Sequence, residues 1–417
     1  MPLKSRPVPI TTTYFVRKKP AAIHCSIRGD SHYCVYLSSL CIDQGGLILL
    51  TRDATRDGKK KWSRNGLPSS PLHIPDISAQ DNFIDLPVRS FFESAVYFIN
   101  PPPDAIYLKE WSLIAKFDDD GYNFFHWTTK ISVAFLARLY EVEGFGRYAH
   151  DSNRLLKKML SGSSKGFSHA FLFRPYSTKW QQGNAEISLG SGTKFYFEPE
   201  IKNLLHKGPI CFERAIIPGA SIGLGDGMLS SQIHREMAAS IKGVRVAETD
   251  RNIITIFDQR FRRRFVNLED MLRVLRKELV GTRFFPTVVH FEDHDDFLTQ
   301  ALHMAKTRIL ISTHGMVLAH SMYMEPGGVV IELNGFQFNY PLYERIALNY
   351  GHYYMRHEVS LDDSKAQGYN FSHDVYSGTS FRNCSMTECY RHRRDADIRI
   401  DLHDFRKIAR QAVALVV

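Results

Sequence analysis

The stretch RILISTHGMVLAHSMYMEPGGVVIEL, residues 308–333, carries the clearest structural pattern in the chain. Residues 308–312 form a short apolar run of the length of a buried strand, and the letters THG then interrupt it. Residues 316–324 place apolar side chains at helical spacing, PGG at 326–328 ends that helix, and a second apolar run follows at 329–333. Strand, turn, helix and strand in this order predict a βαβ unit.

The turn after the first of these strands suits a phosphate group. His314 lies where the strand ends, at the crevice in which open α/β sheets bind ligands. Gly315 allows the backbone to approach a ligand closely, and the N-terminus of the next helix directs N–H groups and a positive dipole end to the same place. An ordinary turn without a ligand is the alternative interpretation, because short motifs often match by chance.

Length and composition limit the class of protein. A chain of 417 residues exceeds one ordinary core, so two domains are expected. With 44% apolar and 23% charged residues the chain is globular. The net charge of +9 suits an anionic ligand such as a nucleotide. The sequence has no zinc-finger spacing, basic zipper or aromatic RNA-binding signature, so we expect no nucleic-acid partner.

The sequence leaves the compartment and the oligomeric state open. It has no run of 18 apolar residues that would predict a membrane-spanning helix, and residues 1–25 lack the continuous apolar segment of a secretory signal. The cysteines fit no zinc template. A disulfide between Cys384 and Cys389, and another between two of the first three cysteines, are possible. The six are Cys25, Cys34, Cys41, Cys211, Cys384 and Cys389.

Four segments are predicted along the chain. Residues 1–80 are read as an irregular N-terminal arm with first strands, one of them at 46–51. Residues 81–245 are read as an N-terminal α/β domain on the acceptor side, with strands at 95–99, 165–173 and 211–217, extended structure at 106–117, helices at 123–142 and 230–241, and a glycine-rich loop at 219–227. Residues 246–358 are read as a C-terminal Rossmann-like domain, and residues 359–417 as a polar excursion with a closing helix at 401–417.

Strands and helices alternate regularly within residues 246–358, which predicts a parallel, doubly wound sheet. Asn267 is predicted to cap the first helix. In the closing helix the predicted apolar positions are Phe405, Ile408, Ala412 and Leu415. The predicted strands are 253–257, 287–291, 309–312, 329–333 and 353–355, and the predicted helices are 268–279, 295–305, 316–324 and 342–349.

The helix at 123–142 begins with a candidate base. His126 lies in its first turn, where the helix dipole favours the neutral imidazole. The alternative is a histidine that packs or caps. The acids Asp118, Asp119 and Asp120 precede this helix. A metal site is conceivable there, but three adjacent acids point in different directions, so a solvated turn is the better interpretation.

Several motifs in order resemble glycosyltransferase family 61, whose members include plant β-1,2-xylosyltransferase and the EGF-domain O-linked N-acetylglucosaminyltransferase. The dense part of the resemblance covers residues 253–335, where the family has an Arg, then Arg-x-x-x-Asn, then HGxGLxH, then V-I-E-L. Upstream, NFFHW at 123–127 is similar to the family's N-x-x-H-W, and CFERAII at 211–217 to its CFxxAII. The matching C-terminal positions are Arg260, Arg263, Asn267, His314, Gly315, Leu318, His320 and Glu332.

The resemblance implies an α/β protein of GT-B type, with two Rossmann-like doubly wound domains that face each other across a cleft. The nucleotide-sugar donor would bind mainly to the C-terminal domain and a glycan or glycoprotein acceptor to the N-terminal one. The implied reaction is an inverting transfer, with xylose or N-acetylglucosamine from a UDP-sugar as the expected donor. No cofactor is expected, Mn²⁺ is possible but not expected, and the expected compartment is the lumen of the endoplasmic reticulum or Golgi.

The resemblance also implies roles for residues. Arginines at 260 and 263 would bind the diphosphate, because a guanidinium contacts phosphate oxygens bidentately. Glu332 would bind the ribose hydroxyls. His126 would act as the base that an inverting transfer needs, with Asp120 as the next candidate. Asn123 and Trp127 would line the acceptor side. The full donor-side set is Arg260, Arg263, His314, Gly315, Met316, Val317, Leu318 and His320, with no metal ligands.

Each role has a structural alternative. The arginines can form a solvated surface, Asn267 can be a helix cap, His320 can pack in the core, and Glu332 can be a salt-bridge partner. Two departures from the family pattern favour a second function, a catalytically degenerate member that acts as a carbohydrate-binding or interaction module. Val317 replaces the second glycine of HGxGL beside Met316, and Lys130 replaces the acid four residues after His126.

Overall fold

A computed structural model of the chain describes residues 22–43, 46–50, 96–98, 104–116, 131–142, 166–173, 179–190, 192–224, 235–236, 246–291, 296–360, 363–365 and 394–417, without residues 132, 136, 261, 337 and 339. The described residues form two main sheets. The N-terminal sheet draws its strands from residues 22–224 and the C-terminal sheet from residues 253–358. None of the described helices is long and apolar enough to span a membrane.

The N-terminal sheet has seven strands in the order β3-β2-β1-β7-β4-β5-β6. Strands β7, β4, β5 and β6 run parallel to one another, whereas β1 is antiparallel to both β2 and β7. Helix α1 packs on one face and α2 on the other. The elements are β1 Ala22–Asp43, β2 Gly46–Leu50, β3 Val96–Phe98, β4 Ile106–Lys116, β5 His169–Phe173, α1 Lys179–Leu189, β6 Lys194–Phe197, α2 Glu198–Leu205 and β7 Ile210–Leu224.

This sheet corrects three predictions. The arm predicted as irregular contains the longest described strand, β1, which pairs along much of its length with β7. The sheet is therefore mixed, not a second purely parallel doubly wound sheet. The glycine-rich loop is also wrong in part, because β7 continues through Leu224. The strands predicted at 46–51 and 95–99 are confirmed as β2 and β3.

A disulfide joins the two long strands at the centre of this sheet. Cys41 of β1 faces Cys211 of β7, and the two residues form a bond across 170 residues of chain. Cys41 is therefore not a member of the pair predicted among the first three cysteines, which leaves Cys25 and Cys34 for that pair. The Cys41–Cys211 pairing was not visible in the sequence because it depends on the unforeseen strand β1. Cys384 and Cys389 lie outside the described residues.

The C-terminal sheet is fully parallel, as predicted, with the order β12-β11-β10-β8-β9. In chain order this is the 2-1-3-4-5 arrangement of doubly wound sheets, whose switch point lies between the first and third strands. Here those are β8 and β10. The elements are β8 Ile253–Phe257, α3 Leu268–Glu278, β9 Phe285–Val289, α4 Phe297–Lys306, β10 Thr307–Thr313, β11 Val329–Asn334, α5 Leu342–Asn349, β12 Tyr353–Glu358 and α6 Leu402–Ala414; a small hairpin pairs β13 Ser364–Lys365 with β14 Asp397–Ile398.

Helices cover both faces of this sheet because its buried strands are apolar on both sides. Helices α3 and α6 pack on the face that carries Ile254, Ile256 and Ile311. Helices α4 and α5 pack on the face that carries Phe257 and Leu310. The α6 helix closes the domain as predicted, with Asp401 as its N-cap, but Leu415 is exposed and Ala409 is buried instead.

The connection between β10 and β11 differs from prediction. Residues Met316–Tyr323 form a 3₁₀ helix instead of an α-helix. A 3₁₀ run of this length is uncommon. All of its residues from Val317 onwards are buried, so tertiary packing on nearly every side sets its geometry. The strand predicted at 287–291 is also shifted, to Phe285–Val289.

Asn267 has a different role from the predicted cap. It occupies the N-cap position of α3, but its side chain makes no capping hydrogen bond. Its Nδ2 donates to Ile400 O at 2.9 Å, and its Oδ1 accepts from Ile400 N–H at 3.1 Å. The buried amide therefore ties the start of α3 to the segment before α6.

The two sheets are joined through packed helices. Asn184 of α1 donates its Nδ2 to the hydroxyl of Tyr323 at 3.0 Å. Phe297 of α4 lies so close to Gly183 that an added Cβ would be 3.3 Å from the Phe297 Cβ. The buried Arg235 donates to Met324 O at 2.6 Å and forms a salt bridge with Glu325. These contacts place the N-terminal residues against the 3₁₀ helix that follows the predicted phosphate turn.

Candidate active site

The candidate site lies at the switch point of the C-terminal sheet. The segment after β8 and the turn after β10 meet there, since the carboxyl ends of parallel strands share one edge. Arg263 and His314 come from these two segments and are in contact, although 51 residues separate them. The structure thus brings together the two parts of the chain that the sequence motifs singled out.

Three side chains hold the His314–Gly315 turn. The Arg263 Nη1 donates to His314 O at 2.7 Å. Gln259 Nε2 donates to Thr313 Oγ1 at 3.0 Å. Thr313 Oγ1 in turn donates to Arg263 O at 3.0 Å. The N–H and C=O of a trans peptide point in opposite directions. The Gly315 N–H therefore points away from Arg263, as a turn that donates to an anion requires.

Arg263 is an organising residue with an unusual backbone. Its φ of 57° is in the left-handed region that non-glycine residues rarely adopt. Its guanidinium is buried and also binds Asp395 through Nε at 3.0 Å and Nη2 at 2.8 Å. Burial lowers the pKa of Arg263 to about 10, and Asp395 opposes that shift. The residue remains cationic at neutral pH and links the turn to the segment before β14.

Gly315 is needed for close packing and not for its φ, which at 172° is ordinary extended backbone. A Cβ added at this position would lie 2.8 Å from Gln259 Nε2 and 3.4 Å from Arg263 Nη1. The turn therefore has no room for a side chain beside Gln259. The first bond of the 3₁₀ helix is donated by Leu318 N–H to Gly315 O at 3.0 Å, so the N–H groups of Met316 and Val317 precede it.

A chain of hydrogen bonds runs beneath the turn. His314 Nδ1 and Glu332 Oε1 are 2.5 Å apart. The Tyr354 hydroxyl donates to the other carboxylate oxygen, Oε2. Burial lowers the pKa of His314 below its usual value, and Glu332 opposes that shift. Burial and the neighbouring Glu332 raise the pKa of Tyr354, so its hydroxyl stays protonated.

This geometry changes the role expected of Glu332. Its side chain is 0% exposed, and both carboxylate oxygens are engaged. The predicted ribose contact would need an accessible carboxylate, so the structure replaces it with a contact to His314. The ring of His314 packs against two aromatic side chains, with centroid distances of 4.6 Å to Phe338 and 4.8 Å to Tyr343.

The other donor-side residues divide into exposed and buried groups. Arg260 is exposed at the end of β8, and Met316 is 39% exposed. Val317 and Leu318 pack into the core, so the bulk of Val317 lies there and not beside the turn. His320 is also buried: its Nε2 is 3.1 Å from Gln300 Oε1, its ring packs on Phe291, and burial lowers its pKa to about 3. These are the contacts of a packed histidine.

The predicted acceptor-side residues lie outside the described part of the chain. These are Asn123 and Trp127, and the catalytic candidates His126 and Asp120 lie there too, as do Asp118, Asp119 and Lys130. Helical structure is described from residue 131, within the helix predicted at 123–142. Among the described residues, no group of three His, Cys, Asp or Glu side chains is arranged to hold a metal ion.

Sequence reasoning missed four residues of the site. Gln259 lies inside the DQRFRRRF segment and was visible there as a polar residue at a strand end. Tyr354 lies in a strand that was predicted, at a position that alternation places on the Glu332 face. Phe338 and Asp395 gave no signal, because irregular segments bring them to the site.

A family model described as Glycosyltransferase 61 matches residues 124–331. The match begins upstream of residue 131, where the described part of the chain resumes, and ends in β11. It therefore includes the segment after β8, the His314–Gly315 turn and the 3₁₀ helix. None of the curated proteins matches the chain.

Proposed function

The chain belongs to glycosyltransferase family 61, and we propose that it transfers a sugar with inversion from a UDP-linked donor to a glycan or glycoprotein. Xylose and N-acetylglucosamine are the proposed sugars. The observation that carries the proposal is the contact between Arg263 and His314 O at the switch point of the parallel sheet. This contact brings two separate parts of the family match together at the turn that we propose to bind the diphosphate.

The proposed architecture is GT-B, with the donor on the C-terminal sheet and the acceptor on the N-terminal one. The leaving UDP carries negative charge that must be stabilised as the bond to the sugar breaks. Backbone N–H groups at the start of the 3₁₀ helix and the exposed guanidinium of Arg260 are the proposed donors. Because these groups are cationic or hydrogen-bond donors, we propose a transfer without a required metal or cofactor.

The proposed base is His126, with Asp120 as the next candidate, and Asn123 and Trp127 are proposed to contact the acceptor. An inverting transfer needs a base on the acceptor side of the cleft. A His126→Ala variant should keep UDP affinity but lose most turnover. The Cys41–Cys211 disulfide supports a compartment that allows disulfides, such as the lumen of the endoplasmic reticulum or Golgi.

The donor site is tested by calorimetry with UDP, UDP-xylose and UDP-N-acetylglucosamine. Arg260→Ala should weaken UDP binding about 10- to 100-fold, since a hydrogen bond to a charged group contributes about 1.5–3 kcal/mol. Arg410→Ala is the matched control. Arg410 is exposed on α6 and pairs with Glu278 at the C-terminal end of α3, at the edge of the sheet opposite the switch point.

The outcomes separate the proposals. Equal affinity of both variants and the wild type would show that the diphosphate does not bind at the end of β8. Absence of binding by all three nucleotides would refute the donor site and favour the non-catalytic carbohydrate-binding alternative. Release of UDP in the presence of glycan acceptors, with NMR analysis of the anomeric carbon, tests the transfer and its stereochemistry.

A further inference from the structure

Three side chains from successive elements form a hydrogen-bonded series below the proposed donor site. His314 follows β10, Glu332 lies in β11 and Tyr354 lies in β12. Glu332 is fully buried and bonds to both of the others. The carboxylate uses Nδ1 of His314, so Nε2 is the ring nitrogen that remains for a ligand.

We propose that Glu332 and Tyr354 hold the imidazole of His314 with Nε2 towards the donor's diphosphate, and that diphosphate binding places a proton on this nitrogen. The inference rests on the donor site proposed above and makes Glu332 and Tyr354 positioning residues. One proton leaves the buffer and forms the Nε2–H bond, and no other bond changes. The imidazolium then donates a charge-assisted hydrogen bond to a phosphate oxygen.

The charges around His314 explain why its imidazole is neutral in the free protein and takes up a proton only when the diphosphate binds. Burial and the cations Arg263 and Arg394 disfavour the imidazolium, whereas Glu332 favours it. The diphosphate adds negative charge close to the ring and so shifts the equilibrium towards the imidazolium. The side chains that face His314 from the elements packed around it are Arg263, Arg394, Glu332, Tyr354, Tyr343, Tyr340 and Phe338, of which the two arginines and the glutamate carry charge.

Proton uptake by His314 and donor binding are linked, so the donor affinity changes with pH in a defined direction. A pKa that is higher in the complex than in the free protein makes donor affinity greatest at low pH. The affinity is then lost as the pH rises through the pKa of the complex, by up to about tenfold per pH unit for one proton. UDP-sugars are suitable probes, because their diphosphate diester does not itself titrate near neutrality.

Calorimetry in PIPES, HEPES and Tris at pH 7.5 measures the proton directly. The observed heat plotted against the buffer's ionisation enthalpy has a slope equal to the number of protons taken up. We expect a slope approaching one for UDP-xylose or UDP-N-acetylglucosamine with the wild type, and near zero with Glu332→Gln. His357→Asn is the matched control, because His357 lies on β12 but on the opposite face from Tyr354. Its slope should equal that of the wild type.

Binding with a zero slope in the wild type, or an unchanged slope in Glu332→Gln, would overturn the inference and leave the donor site standing. A failure of UDP and both UDP-sugars to bind would refute the donor site itself. If Glu332→Gln does not fold, Tyr354→Phe decides. Loss of the hydroxyl leaves more negative charge on Glu332 towards His314, so the fall in affinity should move to higher pH. An unmoved pH profile would count against the inference.

Discussion

Gly315→Ala tests whether the shape of the turn, and not only its charge, forms the donor site. The added methyl group would lie 2.8 Å from Gln259 Nε2, while the backbone φ of 172° suits alanine. The conflict is therefore steric. The Gln259 amide is the flexible partner, so it should move and give up its 3.0 Å hydrogen bond to Thr313. Loss of that bond should lower the free energy of unfolding by about 1 kcal/mol.

The matched control is Gly192→Ala. Gly192 is exposed, and a Cβ added there would meet nothing within 4 Å. This variant should be neutral or more stable by about 0.4–1 kcal/mol, because alanine restricts the unfolded chain. Urea denaturation measures both changes. Calorimetry with UDP should show at least roughly tenfold weaker binding for Gly315→Ala alone, since a displaced diphosphate loses a charge-assisted hydrogen bond of about 1.5 kcal/mol or more.

A double-mutant cycle isolates the cause. In a Gln259→Ala background the methyl group has space, so Gly315→Ala should cost much less stability than in the wild type. The expected coupling free energy is about 0.5–1 kcal/mol, as for other residues in contact. An equal cost in both backgrounds would refute the steric argument, because the methyl group would then act on something other than Gln259.

Two further changes test the frame around the site. Asn267→Ala should lower the free energy of unfolding by about 2–4 kcal/mol in urea denaturation, because the buried N–H and C=O of Ile400 both lose their hydrogen-bond partner. A decrease below about 0.5 kcal/mol would contradict a stabilising role of these two hydrogen bonds. Reduction of the Cys41–Cys211 bond should lower the free energy of unfolding by up to about 5 kcal/mol, from the chain entropy of a 170-residue loop. A Cys41→Ser/Cys211→Ser double variant should lose this part of the response to reductant, and a response equal to that of the wild type would contradict the expectation.

The C-terminal sheet was predictable because its physics is local. Strands buried on both faces carry mostly apolar residues at consecutive positions, and β8, β10 and β11 contain such runs at 253–257, 309–311 and 329–331. Helix α3 has apolar side chains on one stripe and acids in its first turn. These signals need no knowledge of the rest of the chain, so the existence and order of the elements followed from the sequence. One strand is shifted by two residues, and the helix predicted at 316–324 is a 3₁₀ helix.

Strand β1 was missed because its signal is interrupted. Tyr33, Val35 and Leu37 alternate towards one core, but the register against β7 shifts between Leu37 and Leu40. Leu40 and Ile42 lie at odd spacing from these residues and pack on the other side of the sheet, so apolar side chains fall on both faces of β1. Gly29 lies at a further irregularity and resembles a turn residue in the sequence. Because both faces carry apolar side chains and the register is irregular, no sustained alternation of apolar and polar residues predicts so long a strand.

The candidate site was predicted in position but not in its contacts. The strand ends that carry His314 and Arg263 followed from the pattern, because parallel strands share one edge. Burial of Glu332 did not, since a strand end can be open or covered. Tyr354 and the loop that contains Phe338 cover the Glu332–His314 pair, and the irregular course of that loop has no sequence signature.

Arg263 shows why the residue type alone does not assign a role at such a site. A motif arginine near a phosphate turn suggests direct phosphate contact, and that was the prediction. The structure commits its Nε, Nη1 and Nη2 to Asp395 and to His314 O. The left-handed backbone at φ 57° is strained, and such strain persists only when the surroundings fix it.

The hydrogen bond from Arg263 to His314 O also determines how the turn would meet a ligand. Because the carbonyl and the next N–H oppose each other across the peptide plane, the guanidinium fixes the direction of the Gly315 N–H. It also places a positive charge behind the peptide that would meet the diphosphate. Arg263 thus shapes the turn, whereas Arg260, exposed after the end of β8, is the residue that we propose to contact the phosphate oxygens. On this division of roles, loss of Arg263 removes the turn itself, and loss of Arg260 removes only a ligand contact.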